Sequence, residues 1–217
     1  ANIATLSVST KGGTDGVTIE DGTTTPVSVD GGGSQSDTLT MEGAAAGTNA
    51  YTVTPGTSVV MNAVTTDFTG VETLTLDSNS TDGTVTVTAD GSANQVSYVG
   101  DGAATGAATI SIDGSLAASL VNFAATSSVT LAAGDGDDTI TVAPNAATDL
   151  ATVTVAASTG SDTLTVEGDS GVDAFSYTPS DTVDADGTVV VDGVTPGFSS
   201  VEGVSLSGLG GTDTLTA

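Results

Sequence analysis

The chain of 217 residues contains no cysteine, histidine, arginine or tryptophan, and its one basic side chain is Lys11. Without cysteine, disulfides play no part in the stability of the fold. Without histidine as well, the Ser-His-Asp and Cys-His routes to nucleophilic catalysis are closed. The chain has one basic residue and 27 acidic residues, which gives a formal net charge of -26. Nucleic acid is therefore excluded as a partner, because phosphate binding depends on Lys and Arg.

Aromatic residues make up 3% of the chain, and no apolar run approaches the length of a membrane span. Val, Leu, Ile and Ala must therefore form the core. They recur in short alternating runs such as 84–88 and 151–155, which are typical of half-buried strands. This order argues against disorder, the natural alternative for an acidic, glycine-rich chain. Helix is nearly excluded, because Thr, Val, Gly and Asp dominate.

Catalysis by a pair of carboxylates is the remaining enzymatic route, since two such groups hydrolyse glycosidic bonds in many proteins. Sites of that kind usually draw on aromatic platforms and basic residues to hold the sugar. The chain has no Trp and no Arg to supply them. We therefore predict that the protein is not an enzyme and has no catalytic residues.

Internal repeats are the strongest signal in the sequence. Residues 36–43, SDTLTMEG, recur almost unchanged at 161–168, and residues 59–76 align without gaps on 189–206. A degenerate third version runs from Ser119 to Leu131. The whole chain is therefore predicted to be one elongated repeat domain, 1–217, with degenerate units at roughly 32–90, 91–157 and 158–217.

The strand-like runs follow one another about every 8 to 12 residues, separated by Gly, Asp, Asn and Ser. We predict an all-β fold, a parallel β-solenoid in which each coil buries its face against its neighbours. An immunoglobulin-like β-sandwich is the alternative, although it would usually contain a core Trp.

The motif D-T-[L/I]-T occurs four times, each time behind a small or glycine-rich turn. Its best instance, AGDGDDTIT at 133–141, resembles the calcium-binding nonapeptide of RTX proteins. The resemblance implies backbone carbonyls exposed by the glycine turn, a carboxylate from the aspartate and an aliphatic residue pointing inward. More broadly, the stretch 198–216 resembles repeats of secreted bacterial surface and adhesin-type proteins. Asp and Gly are also ordinary turn residues, so a plain turn is the alternative.

Calcium is the predicted cofactor, and a single loop would not satisfy its six to eight oxygen ligands. Asp138 and Asp162 are 24 residues apart, about the length of one coil, so they are predicted to lie one above the other on one edge. Glu72 and Glu202 are interpreted as outward carboxylates on strands, with metal binding as the alternative. The predicted metal-ligating residues are Asp15, Asp37, Asp135, Asp137, Asp138, Asp162 and Asp213.

The beginning of the chain reads as a continuation of its end: the passage from 210–217 into 1–22 resembles 137–168. We predict that copies stack head to tail, as a filament or tandem array, with Asp213 near Asp15 of the following copy. High charge requires counterions, high salt or divalent cations, so an extracellular, cell-surface setting is expected.

The predicted function is structural: a subunit or repeat segment of an extracellular filament, stalk, sheath or surface layer. The alternative is an adhesin or phage-like fibre module that binds surface glycans.

Overall fold

The computed structural model describes residues 4–33, 35–79, 81–102, 106–144, 152–180 and 185–217. Within these ranges every regular element is a β-strand. No helix there is long and apolar enough to cross a membrane. The strands, in chain order, are β1 (Leu6–Ser9), β2 (Gly16–Glu20), β3 (Val27–Asp30), β4 (Thr38–Glu42), β5 (Asn49–Thr54), β6 (Ser58–Met61), β7 (Val64–Thr69), β8 (Thr73–Asp77), β9 (Gly83–Thr88), β10 (Gln95–Gly100), β11 (Ala108–Ile112), β12 (Ser115–Val121), β13 (Ser128–Ala132), β14 (Thr139–Ala143), β15 (Thr152–Ala156), β16 (Thr163–Glu167), β17 (Ala174–Pro179), β18 (Gly187–Val191), β19 (Thr195–Ser199), β20 (Gly203–Ser207) and β21 (Thr214–Thr216).

The strands form two facing sheets. The long sheet has 12 strands in the order β1-β3-β7-β6-β5-β9-β13-β15-β19-β18-β17-β21. The short sheet has nine, in the order β2-β4-β8-β12-β11-β10-β14-β16-β20. Where two successive strands lie in different sheets, the chain crosses from one sheet to the other and the two strands make one coil. We call the side with turns from the long to the short sheet the first edge, and the opposite side the second edge.

Parallel, in-register pairing dominates both sheets and confirms the predicted β-solenoid. Along the middle of the long sheet, Val129 of β13 lies between Val85 of β9 and Val153 of β15. Every second residue of these strands points inward and is buried, as the alternation in the sequence predicts. The core is therefore a stack of small aliphatic rows rather than a single globular centre.

Three antiparallel meanders interrupt the parallel stack, one in each predicted repeat unit. They are β5-β6-β7 and β17-β18-β19 in the long sheet and β10-β11-β12 in the short sheet. In each, the first strand lies three positions ahead of the last strand that the chain formed in that sheet. The second and third strands then fill the two positions between, so that the third strand pairs with that earlier strand. Two single strands separate the first meander from the second, and four separate the second from the third. Because these single strands alternate between the sheets and their number is even, successive meanders fall in opposite sheets.

Each meander turns on a two-residue hairpin with left-handed backbone, the geometry favoured for tight hairpins. The pairs are Asn62-Ala63, Asp113-Gly114 and Asp192-Gly193, all at positive φ. The Oδ1 atom of each Asn or Asp accepts the backbone N–H of the first strand's opening segment, at Ala50, Gln95 and Ala174. The hairpin residue thus fixes the register of its own meander.

Candidate functional site

The aspartate turns lie where the chain crosses between sheets, and their glycines let adjacent coils approach closely. In the turn before β14, Gly136 has φ of 118°. In the next coil, a Cβ built on Gly160 would lie 1.9 Å from the carbonyl oxygen of Gly136. Any larger residue at 160 would therefore collide with the coil below. The glycines of the motif have a packing role whether or not a metal binds.

Asp138 and Asp162 lie on adjacent coils at the first edge, as their spacing predicts. Their following residues, Thr139 and Thr163, pair in the parallel register of β14 and β16. The backbone N–H of Asp138 donates to Oδ1 of Asp162 over 2.8 Å. The two side chains are therefore rungs of a ladder in which each carboxylate accepts the N–H of the preceding rung.

The ladder extends in both directions. The Asn94 N–H donates to Oδ1 of Asp138 (2.8 Å), and the Asp162 N–H donates to Oε2 of Glu202 (2.7 Å). We call Asn94, Asp138, Asp162 and Glu202 the central ladder. The turn carboxylates thus supply the hydrogen bonds that β pairing cannot supply at the edge.

Two shorter ladders lie at the ends of the solenoid. At the first edge, the Asp15 N–H donates to Oδ1 of Asp37 (2.8 Å) and the Asp37 N–H to Oε2 of Glu72 (2.7 Å); this is the N-terminal ladder. At the second edge, the Asp173 N–H donates to Oδ1 of Asp213 (3.1 Å); this is the C-terminal ladder.

Burial makes the central ladder electrostatically costly. Asp138 and Asp162 are each 1% exposed, and their Oδ2 atoms have no hydrogen-bond partner among the described residues. Burial raises the pKa of Asp138, and the negative charge of Asp162 adds to the rise. Burial likewise raises the pKa of Asp173, with a further contribution from Asp192. Each such site favours a proton or a cation over a bare carboxylate.

The outer aspartates of the same turn are exposed and bind the next coil. Oδ1 of Asp135 accepts the hydroxyls of Thr159 (2.7 Å) and Ser158 (3.2 Å), and these bonds lower its pKa. Oδ1 of Asp137 accepts the Ser161 N–H (2.9 Å). Both carboxylates therefore cross-link stacked turns.

The seven predicted metal ligands do not form one cluster. Asp135, Asp137, Asp138 and Asp162 come together in two stacked turns, whereas Asp15 and Asp37 lie farther along the first edge and Asp213 lies on the second. Over the described ranges, no group of three or more His, Cys, Asp or Glu side chains is arranged to hold a metal ion. The unpartnered Oδ2 atoms of Asp138 and Asp162 still offer two carboxylate oxygens of the type that calcium prefers.

Sequence reasoning missed the two glutamates and Asn94 as ladder members. Glu72 and Glu202 follow the repeated Val of the aligned stretches, and each closes a ladder. Their matching positions in the repeat are the signal that would have found them. Asn94 lacks the D-T-[L/I]-T motif, although it too opens a strand after a small residue and a four-residue turn.

A groove opens at the first edge between the N-terminal and central ladders. There the hairpin ends of β5-β6 and β11-β12 face each other, and none of the described residues forms a crossing turn between them. The groove has a volume of about 710 Å³, and its lining includes Val71, Glu72, Asp90, Ile112 and Asp113. Its described lining residues are acidic at Glu72, Asp90 and Asp113 and include no aromatic side chain.

Comparison with protein families, with curated proteins and with solved structures found no match to this chain.

Proposed function

We propose that the protein is a structural scaffold, a subunit or repeat segment of an extracellular filament, stalk, sheath or surface layer. The observation that carries this proposal is that, over the part of the chain that the structure describes, both ends of the solenoid present open strand edges. β1 and β2 are the last strands at one end, and β21 and β20 at the other. Edges of this kind template further strands unless they are covered.

The apolar interior is also open at the two ends. Leu6 of β1 is 47% exposed and Leu215 of β21 is 63% exposed, although both continue the inward rows of the core. Solenoid ends are normally closed by caps with a polar outer face. Stacking another coil on each end would cover these rows, so head-to-tail association of copies follows from the same physics that stabilises the interior.

Calcium is part of the proposal as a stabiliser of the central ladder. The cation would be held by the free Oδ2 atoms of Asp138 and Asp162, with the remaining ligands from turn carbonyls. It would offset the repulsion within a chain of net charge -26. An extracellular setting, where calcium and salt are abundant, fits that requirement.

Light scattering during size exclusion, with calcium and with a chelator, tests the scaffold proposal. We expect a concentration-dependent increase in mass, steeper with calcium, and elongated particles in negative stain. A monodisperse monomer at high concentration, with and without calcium, would contradict it.

A glycan-binding fibre module is the second candidate, and the groove beside Glu72 is its place in the fold. Sugar sites usually include aromatic platforms, and this groove has none. A glycan-array screen showing binding that Asp113→Ala abolishes would favour this function over the scaffold.

A further inference from the structure

We propose that copies of this chain stack head to tail with about half a turn about the solenoid axis between them. This rests on the proposed scaffold function and specifies its contact. The half-turn places the long sheet of the added copy, which we call the incoming copy, above the short sheet of the previous copy. β1 of the incoming copy then pairs with β20, and β2 of the incoming copy pairs with β21.

Strand numbers require the rotation. The long sheet has 12 strands and the short sheet nine, so stacking without rotation would leave three strand positions empty in one layer at every junction. At the spacing of neighbouring strands, that gap is about 14 Å. After a half-turn, each layer receives 12 strands from one copy and nine from the next. The two layers then contain the same number of strands along the whole stack.

Strand direction is also satisfied. β1 runs parallel to β3 and β7, and β21 runs parallel to β17, so the end strands of the long sheet share one direction. The short sheet runs the opposite way, because short turns connect facing strands. A half-turn about an axis perpendicular to the strands reverses their direction while it exchanges the sheets. Both new pairings are therefore parallel, like the internal ones.

The ladders provide an independent argument. The central ladder has an opening member before a meander, two aspartates and a closing glutamate. The C-terminal ladder has an opening member, Asp173, and stops at Asp213; the N-terminal ladder starts at Asp15 and closes at Glu72. The half-turn brings the first edge of the incoming copy over the second edge of the previous copy. Asp213 and the incoming Asp15 then become neighbouring rungs. The two incomplete ladders join into one that runs from an opening member to a closing glutamate, with three aspartates between them instead of the two of the central ladder.

The internal stretch from β13 to β16 shows the register of the junction. There Thr139 of β14 pairs with Thr163 of β16, each directly after a ladder aspartate. By the same rule Thr214 pairs with the incoming Gly16, and Thr216 pairs with the incoming Thr18. The inward residues Val204 and Leu206 meet the incoming Leu6 and Val8, as Val129 and Leu131 meet Val153 and Val155. Val204 and Leu206 line a groove of about 580 Å³ at the C-terminal end, and the incoming Leu6 and Val8 would enter it.

Engineered disulfides test the geometry cleanly, because the chain has no cysteine. The variant Thr18→Cys/Thr216→Cys places two exposed thiols at neighbouring positions in the half-turn contact, within the range of disulfide geometry. In one copy these positions lie at opposite ends of the solenoid, so only an intermolecular bond forms. The matched control, Ser7→Cys/Thr216→Cys, links copies only if they stack without rotation, since β1 would then lie on β21.

After mild oxidation, we expect a ladder of covalent oligomers from Thr18→Cys/Thr216→Cys and at least tenfold less from the control. Circular dichroism checks that both variants retain the β fold. The reverse pattern, or unlinked particles that are still assembled, would overturn the half-turn while leaving the scaffold function standing. A chain that stays monomeric in light scattering and forms no cross-link would remove both.

Discussion

Replacement of Asp138 by asparagine or by alanine separates the two roles of a ladder carboxylate. Asparagine keeps an oxygen at the position of Oδ1, so the Asn94 N–H retains its acceptor. The amide nitrogen that replaces Oδ2 has a precedent in Asn94, which opens the ladder and whose Nδ2 donates to the carbonyl oxygens of Ser92 and Ala133. Alanine removes the acceptor and leaves the backbone N–H of Asn94 unpaired, and Asn94 is only 3% exposed.

The magnitudes follow from the burial of the site. An unpaired buried donor costs about 1–3 kcal/mol. Asp138→Ala should therefore be less stable than Asp138→Asn by that amount, which is a difference of roughly 2–12 °C in Tm for a chain of this size. Without calcium at pH 7, Asp138→Asn should be more stable than the native protein, because it removes a buried charge that faces Asp162.

The buried charge of Asp138 also makes the stability of the native protein depend on pH. Burial raises the pKa of Asp138 above its unfolded value, so the folded state binds more protons between those two values. Stability contributed by this group is therefore present at low pH and is lost as pH rises through the folded pKa. The native protein should gain Tm on acidification from pH 7 towards the unfolded value, whereas Asp138→Asn should gain less.

Calorimetric melts of the three proteins, with chelator and with calcium, provide the assay. Calcium should raise the Tm of the native protein and should raise that of Asp138→Asn much less, because the amide supplies no second carboxylate oxygen. Equal Tm values for the asparagine and alanine variants would refute the ladder reasoning. A native protein that is more stable than Asp138→Asn in chelator would refute the charge reasoning.

Three further predictions concern packing and charge. Gly160→Ala should destabilise the fold by about 3 kcal/mol or more, since its Cβ would collide with Gly136, whereas Gly197→Ala, which meets no atom within 4 Å, should stay within about 0.5 kcal/mol in denaturant melts. Phe123→Ala should cost about 3–5 kcal/mol because the ring is buried and packs against Tyr51 at 5.8 Å; retained stability would contradict the packing. Raising NaCl in chelator should increase Tm, because salt screens the repulsion of an acidic chain; a flat response would contradict this.

The stacked architecture was predictable because a solenoid depends on local, repeated information. Alternating Thr and Val runs set which side of each strand is buried, and the 24-residue interval set the length of a coil. The register of Asp138 on Asp162 followed from these two features alone. Each coil contacts its neighbours in the stack, so few long-range choices remained.

The meanders were not predicted, although their signal was present. Asp113-Gly114 and Asp192-Gly193 stand between alternating apolar runs, a strong indication of tight hairpins. The internal alignment placed Asp192-Gly193 opposite Asn62-Ala63, which weakened the pattern. The meander also requires its first strand to pair three positions ahead in the sheet. That position is defined only by the neighbouring coils, so the local sequence does not specify it.

The role of the turn carboxylates was not predictable for a physical reason. An aspartate after a glycine turn has the same local pattern whether it binds calcium or accepts the N–H of the next coil. The choice depends on the distance between coils, which the turn glycines and the register of neighbouring strands determine together. Asp213 shows the consequence, since its motif matches that of Asp138 but its turn lies on the opposite edge.

A helical reconstruction of assembled protein by cryo-electron microscopy tests the central claim most directly. The account predicts strands perpendicular to the fibre axis at about 4.8 Å spacing, a rise of about 50 Å per copy from the average of 12 and nine strands, and about half a turn between copies. Copies that join side by side, or that stack with open strand edges between them, would contradict a scaffold built by end-to-end extension.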